Sequence, residues 1–187
     1  MAPKSKSSKR EAILDAILDI VVERGFHDAP MSQIVQRSGA SAGIIYHYFS
    51  SKEEIIRALY QRIRALKSEA FLAGFDPDQD PGKVFVQIFI SLYAFYRKHP
   101  REMRFYEQYE SAGFACTPDH AERDEREAAF AKRFSSKSRG GVLKEWPTDV
   151  LEEATLGTVR RLAVALKPIP KSLLRENAES MWEMVRA

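Results

Sequence analysis

The residues whose types and spacing could do chemistry lie between Ser32 and Lys52, and what they suit is hydrogen bonding to an extended anion rather than bond making. Ser41-Ala42-Gly43-Ile44-Ile45-Tyr46-His47-Tyr48-Phe49 sets small residues first, so a helix carrying them approaches another surface closely, then offers a phenol and an imidazole one turn on. Ser50, Ser51 and Lys52 follow at the start of a further helix, where a phosphate is favoured by the helix's positive end and free N–H groups. Bond-making chemistry finds less. His27, His47, His99 and His120 lack metal-ligand spacing, Cys116 is the only cysteine, and neither a nucleophile motif nor a phosphate loop is present. A helical enzyme is therefore the third of three readings, and no metal or cofactor is expected.

Positioning these groups falls to short helices. From Arg10, Ile13, Ala16, Ile17, Ile20 and Val21 recur at helical spacing, while Glu11, Asp15 and Asp19 share another face; Gly25 stops the helix and Phe26 folds back onto it. A second helix is predicted over Met31–Ser38, with Ile34 and Val35 inside. Gly39-Ala40-Ser41 then turns the chain steeply, and Ser41 caps a third helix over Ala42–Tyr48. This is helix-turn-helix spacing. A fourth helix runs from about Lys52 to about Phe71, with Glu53 and Glu54 well placed in its first turn. Lys4, Lys6, Lys9 and Arg10, set among serines with nothing apolar to fold around, predict a disordered basic arm over 1–9.

Ser41-Ala42-Gly43-Ile44-Ile45-Tyr46-His47-Tyr48-Phe49-Ser50-Ser51-Lys52-Glu53-Glu54-Ile55 resembles the signature of the TetR family, with Ile13–Ile17, Glu23–Phe26, Ile34 and Gly39–Ser41 resembling its first two helices. The resemblance covers about Arg10 to Leu59. It implies an all-α protein: a three-helix helix-turn-helix DNA-binding domain (10–52), linked by helix 4 to a larger helical ligand-binding and dimerisation domain (53–187). It also implies that Ala42, Gly43 and His47 lie in or beside a major groove, that Tyr46 and Lys52 lie on phosphates, and that Ser41 is both cap and phosphate donor. Two departures stand out: Pro30 where the family usually has Thr or Ser, and Ser38 where it usually has Ala. Pro30 has no hydroxyl or N–H to donate and is expected as the first helical residue, which leaves Ser32 as the nearest side chain able to reach a phosphate or base edge. With few long donors on the reading helix, the target sequence is not legible.

Beyond Phe71 the chain reads as helices over Lys83–Lys98, Arg101–Ser111, Asp119–Arg133, Thr148–Leu166 and Lys171–Val185. Phe89, Tyr93, Tyr96, Met103, Tyr106 and Tyr109 are read two ways: ordinary core, or the wall of a pocket for a hydrophobic or aromatic effector, as the resemblance implies. The last two helices form an antiparallel pair. Leu151, Thr155, Thr158, Leu162, Leu174, Ala178, Met181 and Trp182 would pack within the monomer or, as the resemblance implies, against a second copy. A two-fold dimer spaces its reading helices by about one DNA turn, roughly 34–36 Å, or further, and so matches a palindromic operator. At 187 residues, 44% hydrophobic and 29% charged, without an apolar run of membrane-spanning length or a signal segment, the chain is expected to be cytoplasmic. The leading reading is a repressor released from DNA by a small molecule. The alternative is a DNA-binding regulator with no such effector.

Overall fold

The computed structural model describes residues 6–73, 75–112, 125–165 and 167–187, with side chains from Lys9 onward. They fall into two units. The first holds α1 (Lys6–Arg24), α2 (Met31–Ser38), α3 (Ala42–Tyr48), α4 (Lys52–Leu72) as far as Ala65, and a later helix, α6 (Pro100–Ser111). Helix α1 is its axis: Ile13, Ile17, Ile20 and Val21 are fully buried as their spacing predicts, and Leu14 and Leu18 outside that stripe are buried too. Helix α6 packs on α1 alongside α2 and α3. Phe105 of α6, fully buried, meets Phe26 edge-on at 5.4 Å between ring centres, and Arg101 pairs with Asp19. By packing, then, α6 sits with the helix-turn-helix, although the expected domain scheme assigns it to 53–187.

Two expectations about helix starts are corrected. Residues 1–5 of the expected arm lie outside the described residues, but α1 begins at Lys6, so Lys6–Lys9 form helix rather than an unfolded arm. Once the apolar stripe downstream has nucleated the helix, extending it through serine and lysine costs only propensity. Pro30 is not the first helical residue of α2 but its N-cap, with φ −72° and ψ 150°, and its carbonyl accepts the Gln33 N–H at 3.0 Å.

The second unit is built on α5 (Pro81–Lys98), which starts two residues earlier than predicted because Asp80 accepts the Lys83 N–H and Pro81 tolerates the first turn. Val84, Ile88, Phe89, Leu92, Tyr93, Phe95 and Tyr96 are buried along it. Helix α7 (Glu125–Arg133) lays Phe130 against Phe71 and Phe75; positions 119–124 of its expected span lie outside the described residues. The single helix expected over 148–166 is interrupted: α8 (Thr148–Glu152) passes through a π turn (Glu153–Gly157) into α9 (Thr158–Ala163). Thr155 and Thr158 donate to the carbonyls four residues back, at 2.6 and 2.9 Å, competition of the kind that loosens an α-helical ladder. Arg97 of α5 closes the far end, donating to the carbonyls of Ala163 and Ala165.

Helix α10 (Lys171–Val185) packs on α5, the first of the two alternatives for part of its apolar face. Leu174 and Ala178 are buried inside the protomer, and half-buried Trp182 lies against Phe85 and Phe134. Leu151, Thr155, Thr158, Leu162 and Met181 are half-buried. The apolar groups this pair of helices leaves exposed include Val150, Val164, Leu173 and Met184.

Candidate nucleic-acid interface

The turn between α2 and α3 is built by three residues. Gly39 takes φ +64°, the left-handed conformation that ends α2 at little cost only for glycine. Ser38, one of the two departures from the family pattern, accepts the Ala40 N–H at 3.2 Å and so ties the turn together. Ser41 caps α3, its Oγ accepting the Ile44 N–H at 3.4 Å. A hydroxyl that accepts a cap bond keeps its own proton to donate outward.

Only Ile45 anchors α3 in the core; Phe49, its C-cap residue, is buried as well. Ser41, Ala42, Gly43, Tyr46 and His47 are all exposed, Tyr46 by 58%. Gly43 and His47, two residues either side of Ile45, point away from it at 100° per residue. Gly43 has ordinary helical geometry, and a Cβ built on it would meet nothing within 4 Å. The protein's own packing therefore does not require glycine there, although glycine costs a helix about 1 kcal/mol relative to alanine.

Ser32 is exposed in the first turn of α2. Lys52, half-buried at the start of α4, donates from Nζ to the Phe26 carbonyl at 3.3 Å, which leaves two of its three ammonium protons. Nearby, Ser51 accepts the Glu54 N–H, while Glu54 Oε2 accepts both the N–H and the hydroxyl of Ser50 at 2.6 Å. The Ser50 hydroxyl bond first, and then the backbone bond, hold the Glu54 carboxyl below the usual range. Sequence reasoning missed the bidentate pair of Arg37 with Glu23, at 2.8 and 2.5 Å, which fastens α2 to α1. No local spacing signals a pair 14 residues apart.

A family model described as "Bacterial regulatory proteins, tetR family" matches residues 13–59, which span all the elements just described apart from the first turns of α1 and the far half of α4. Residues 13–59 are thus similar to the TetR-family helix-turn-helix domain. Among curated relatives, the HTH-type transcriptional regulator BetI of Klebsiella pneumoniae (strain 342) is 41% identical over 64 residues, 34% of this chain and 33% of that protein. BetI of Escherichia coli (strain K12 / DH10B) is 39% identical over 67 residues, 36% of this chain and 34% of that protein. The match thus spans about a third of each relative and is confined to the TetR-type helix-turn-helix and its flanks. Across the whole chain the likeness is one of fold. A TetR family transcription regulator from Marinobacter aquaeolei VT8 superposes with a TM-score of 0.85 at 20% identity, covering 96% of both chains. A TetR-family regulator from Haemophilus influenzae Rd gives 0.78 at 22%, covering 97% of this chain and 98% of its own.

Outside the TetR-type domain, the six aromatic and methionine candidates divide between the units: Phe89, Tyr93 and Tyr96 on α5, Met103, Tyr106 and Tyr109 on α6. All are buried except Tyr106, which is half-buried. The Tyr93 hydroxyl accepts the Ile169 N–H at 2.8 Å, and Tyr60 of α4 stacks on Tyr109 and Tyr106 at 4.1 and 5.4 Å. A groove of about 850 Å³ in the second unit runs between α5 and α10, walled by Lys83, Gln87, Arg175, Glu179 and Glu183, and none of the six lines it.

Proposed function

We propose that this chain is a TetR-family transcriptional regulator that binds double-stranded DNA as a homodimer on a palindromic operator. The observation that carries this is the outward face of α3, held by one core residue and presenting Gly43, whose missing side chain nothing in the protein requires. In this reading Ala42, Gly43 and His47 enter the major groove, Ser41, Tyr46 and Lys52 grip phosphates, and Ser32 reaches a phosphate or base edge from α2. Dimer contact falls to Leu151, Thr155, Thr158, Leu162 and Met181 together with Leu173 and Met184, because Leu174 and Ala178 are buried within the protomer and Trp182 packs on Phe85 there.

The finer reading is a repressor released by a hydrophobic or aromatic small molecule; its support is the density of Phe and Tyr on α5 and α6. A regulator without such an effector is favoured by the way those groups are already occupied, Tyr93 by Ile169 and Tyr106 and Tyr109 by Tyr60. One assay separates them. Purified protein is titrated onto the duplex it selects from a random-sequence pool, with and without a panel of hydrophobic metabolites. Binding that a metabolite releases supports the repressor reading, binding indifferent to all of them supports the second, and failure to select any duplex refutes both.

A further inference from the structure

A row of carboxylates on a domain that meets a polyanion calls for a use, and Glu11, Asp15 and Asp19 stand four residues apart along one line of α1. Each is taken by an arginine of another helix. Arg62 of α4 spans the first two, Nη1 donating to Glu11 at 2.7 Å and Nη2 to Asp15 at 2.9 Å, while Arg101 of α6 pairs with Asp19. The Arg62 side chain is only 23% exposed and its Nε is buried without a hydrogen-bond partner, so the guanidinium is oriented by its two Nη contacts. Glu11 also accepts from Arg10 at 3.4 Å, and the Arg10 guanidinium lies over the Phe49 ring at 5.5 Å. Phe49 is the C-cap residue of α3. A continuous chain of contacts thus runs from the end of the reading helix through Arg10 and Glu11 to Arg62, with Asp15 as its second anchor.

We propose that Arg62 is a positioning residue for DNA reading: by bridging Glu11 and Asp15 it fixes α1 and the end of α3 against α4, so that α3 and Lys52 meet a duplex in one register. The inference rests on the DNA-binding reading above. Arg62 contacts no DNA in this account, and its planar fork, matched to two carboxylates at once, is what a lysine cannot reproduce in full.

The test uses the full chain and two probes, the duplex that wild type selects from a random pool and an unrelated duplex of equal length. Arg62→Gln is expected to weaken binding to the selected duplex about fivefold, the size of one or two partly exposed ion pairs. Affinity for the unrelated duplex and the salt slope stay unchanged. Arg62→Lys recovers part of the loss, and Arg62→Glu combined with Asp15→Arg recovers more than either change alone. Glu11→Gln, which leaves Asp15 to the guanidinium, gives the same pattern at smaller size and serves if Arg62→Gln does not fold. A salt slope lowered by about one unit would make Arg62 a phosphate contact and overturn the proposal. Equal losses on both duplexes that track a lowered Tm, or no loss at all, would overturn it as well. A wild type that selects no duplex brings down the reading it rests on, and the proposal with it.

Discussion

Helices α3 and α5 spend their side chains in opposite ways. Nine of the eighteen residues of α5 are buried, and polar atoms inside it are put to internal use, as with the Tyr93 hydroxyl on Ile169. Only Ile45 of the seven residues of α3 is buried, and the helix is held by that anchor, the Ser41 cap and the turn at Gly39. A helix whose groups are consumed by the interior sets stability, whereas one left so open is free to meet a partner. Gly43 sharpens the contrast, since the fold gains nothing from its lack of a side chain.

The largest effect expected is on the α5 side. Leu92, fully buried, should cost about 2–5 kcal/mol of stability as Leu92→Ala, read by urea unfolding, with DNA affinity of the folded fraction unchanged. On the other side of the comparison, Lys52→Ala should leave the urea midpoint nearly unmoved but weaken binding to every duplex, by roughly 3- to 10-fold at moderate salt, and reduce the salt slope by about one unit. An unchanged slope removes Lys52 from the phosphate contacts and leaves it as a tie to the Phe26 carbonyl. Smaller again, Gly43→Ala should stabilise the protein by about 0.5–1 kcal/mol while weakening DNA binding, since the new methyl group meets nothing within the chain. A variant that gains stability and keeps full affinity would break the contrast.

The smallest effect concerns pH at the start of α4. The Ser50 bonds lower the Glu54 pKa, so their contribution to stability is fully present above the carboxylate's unfolded value of about 4.3 and is lost as pH falls through the lower folded value. Urea midpoints of wild type and Glu54→Gln should therefore differ at neutral pH and converge in acid. Convergence at neutral pH would show that the carboxylate adds nothing there.

What the sequence made legible follows the same division. The bounds of α2 and α3, the Ser41 cap and the Gly39 turn were readable because each depends on residues within four positions of one another. Ser38 was noticed only as a departure, although its bond to Ala40 is local. The packing of α6 on α1, the Arg37–Glu23 pair and the Arg62 bridge join residues 14 to 82 positions apart, and no periodicity announces them. The π turn within the helix expected over 148–166 escaped because threonine hydroxyls bonding back to carbonyls leave the apolar pattern intact. For Leu174 and Ala178 the sequence leaves two readings open for a related reason: an apolar stripe states that a face is covered but not by what.

The central claim is that the open face of α3 exists to enter a DNA groove, and Gly43→Leu tests it most directly. The leucine Cβ starts in open space and leucine favours helix, so the variant should unfold at the same or higher urea concentration than wild type. Measured by fluorescence anisotropy on the duplex that wild type selects, its specific binding should be lost. A folded Gly43→Leu protein that binds that duplex as tightly as wild type would contradict the account.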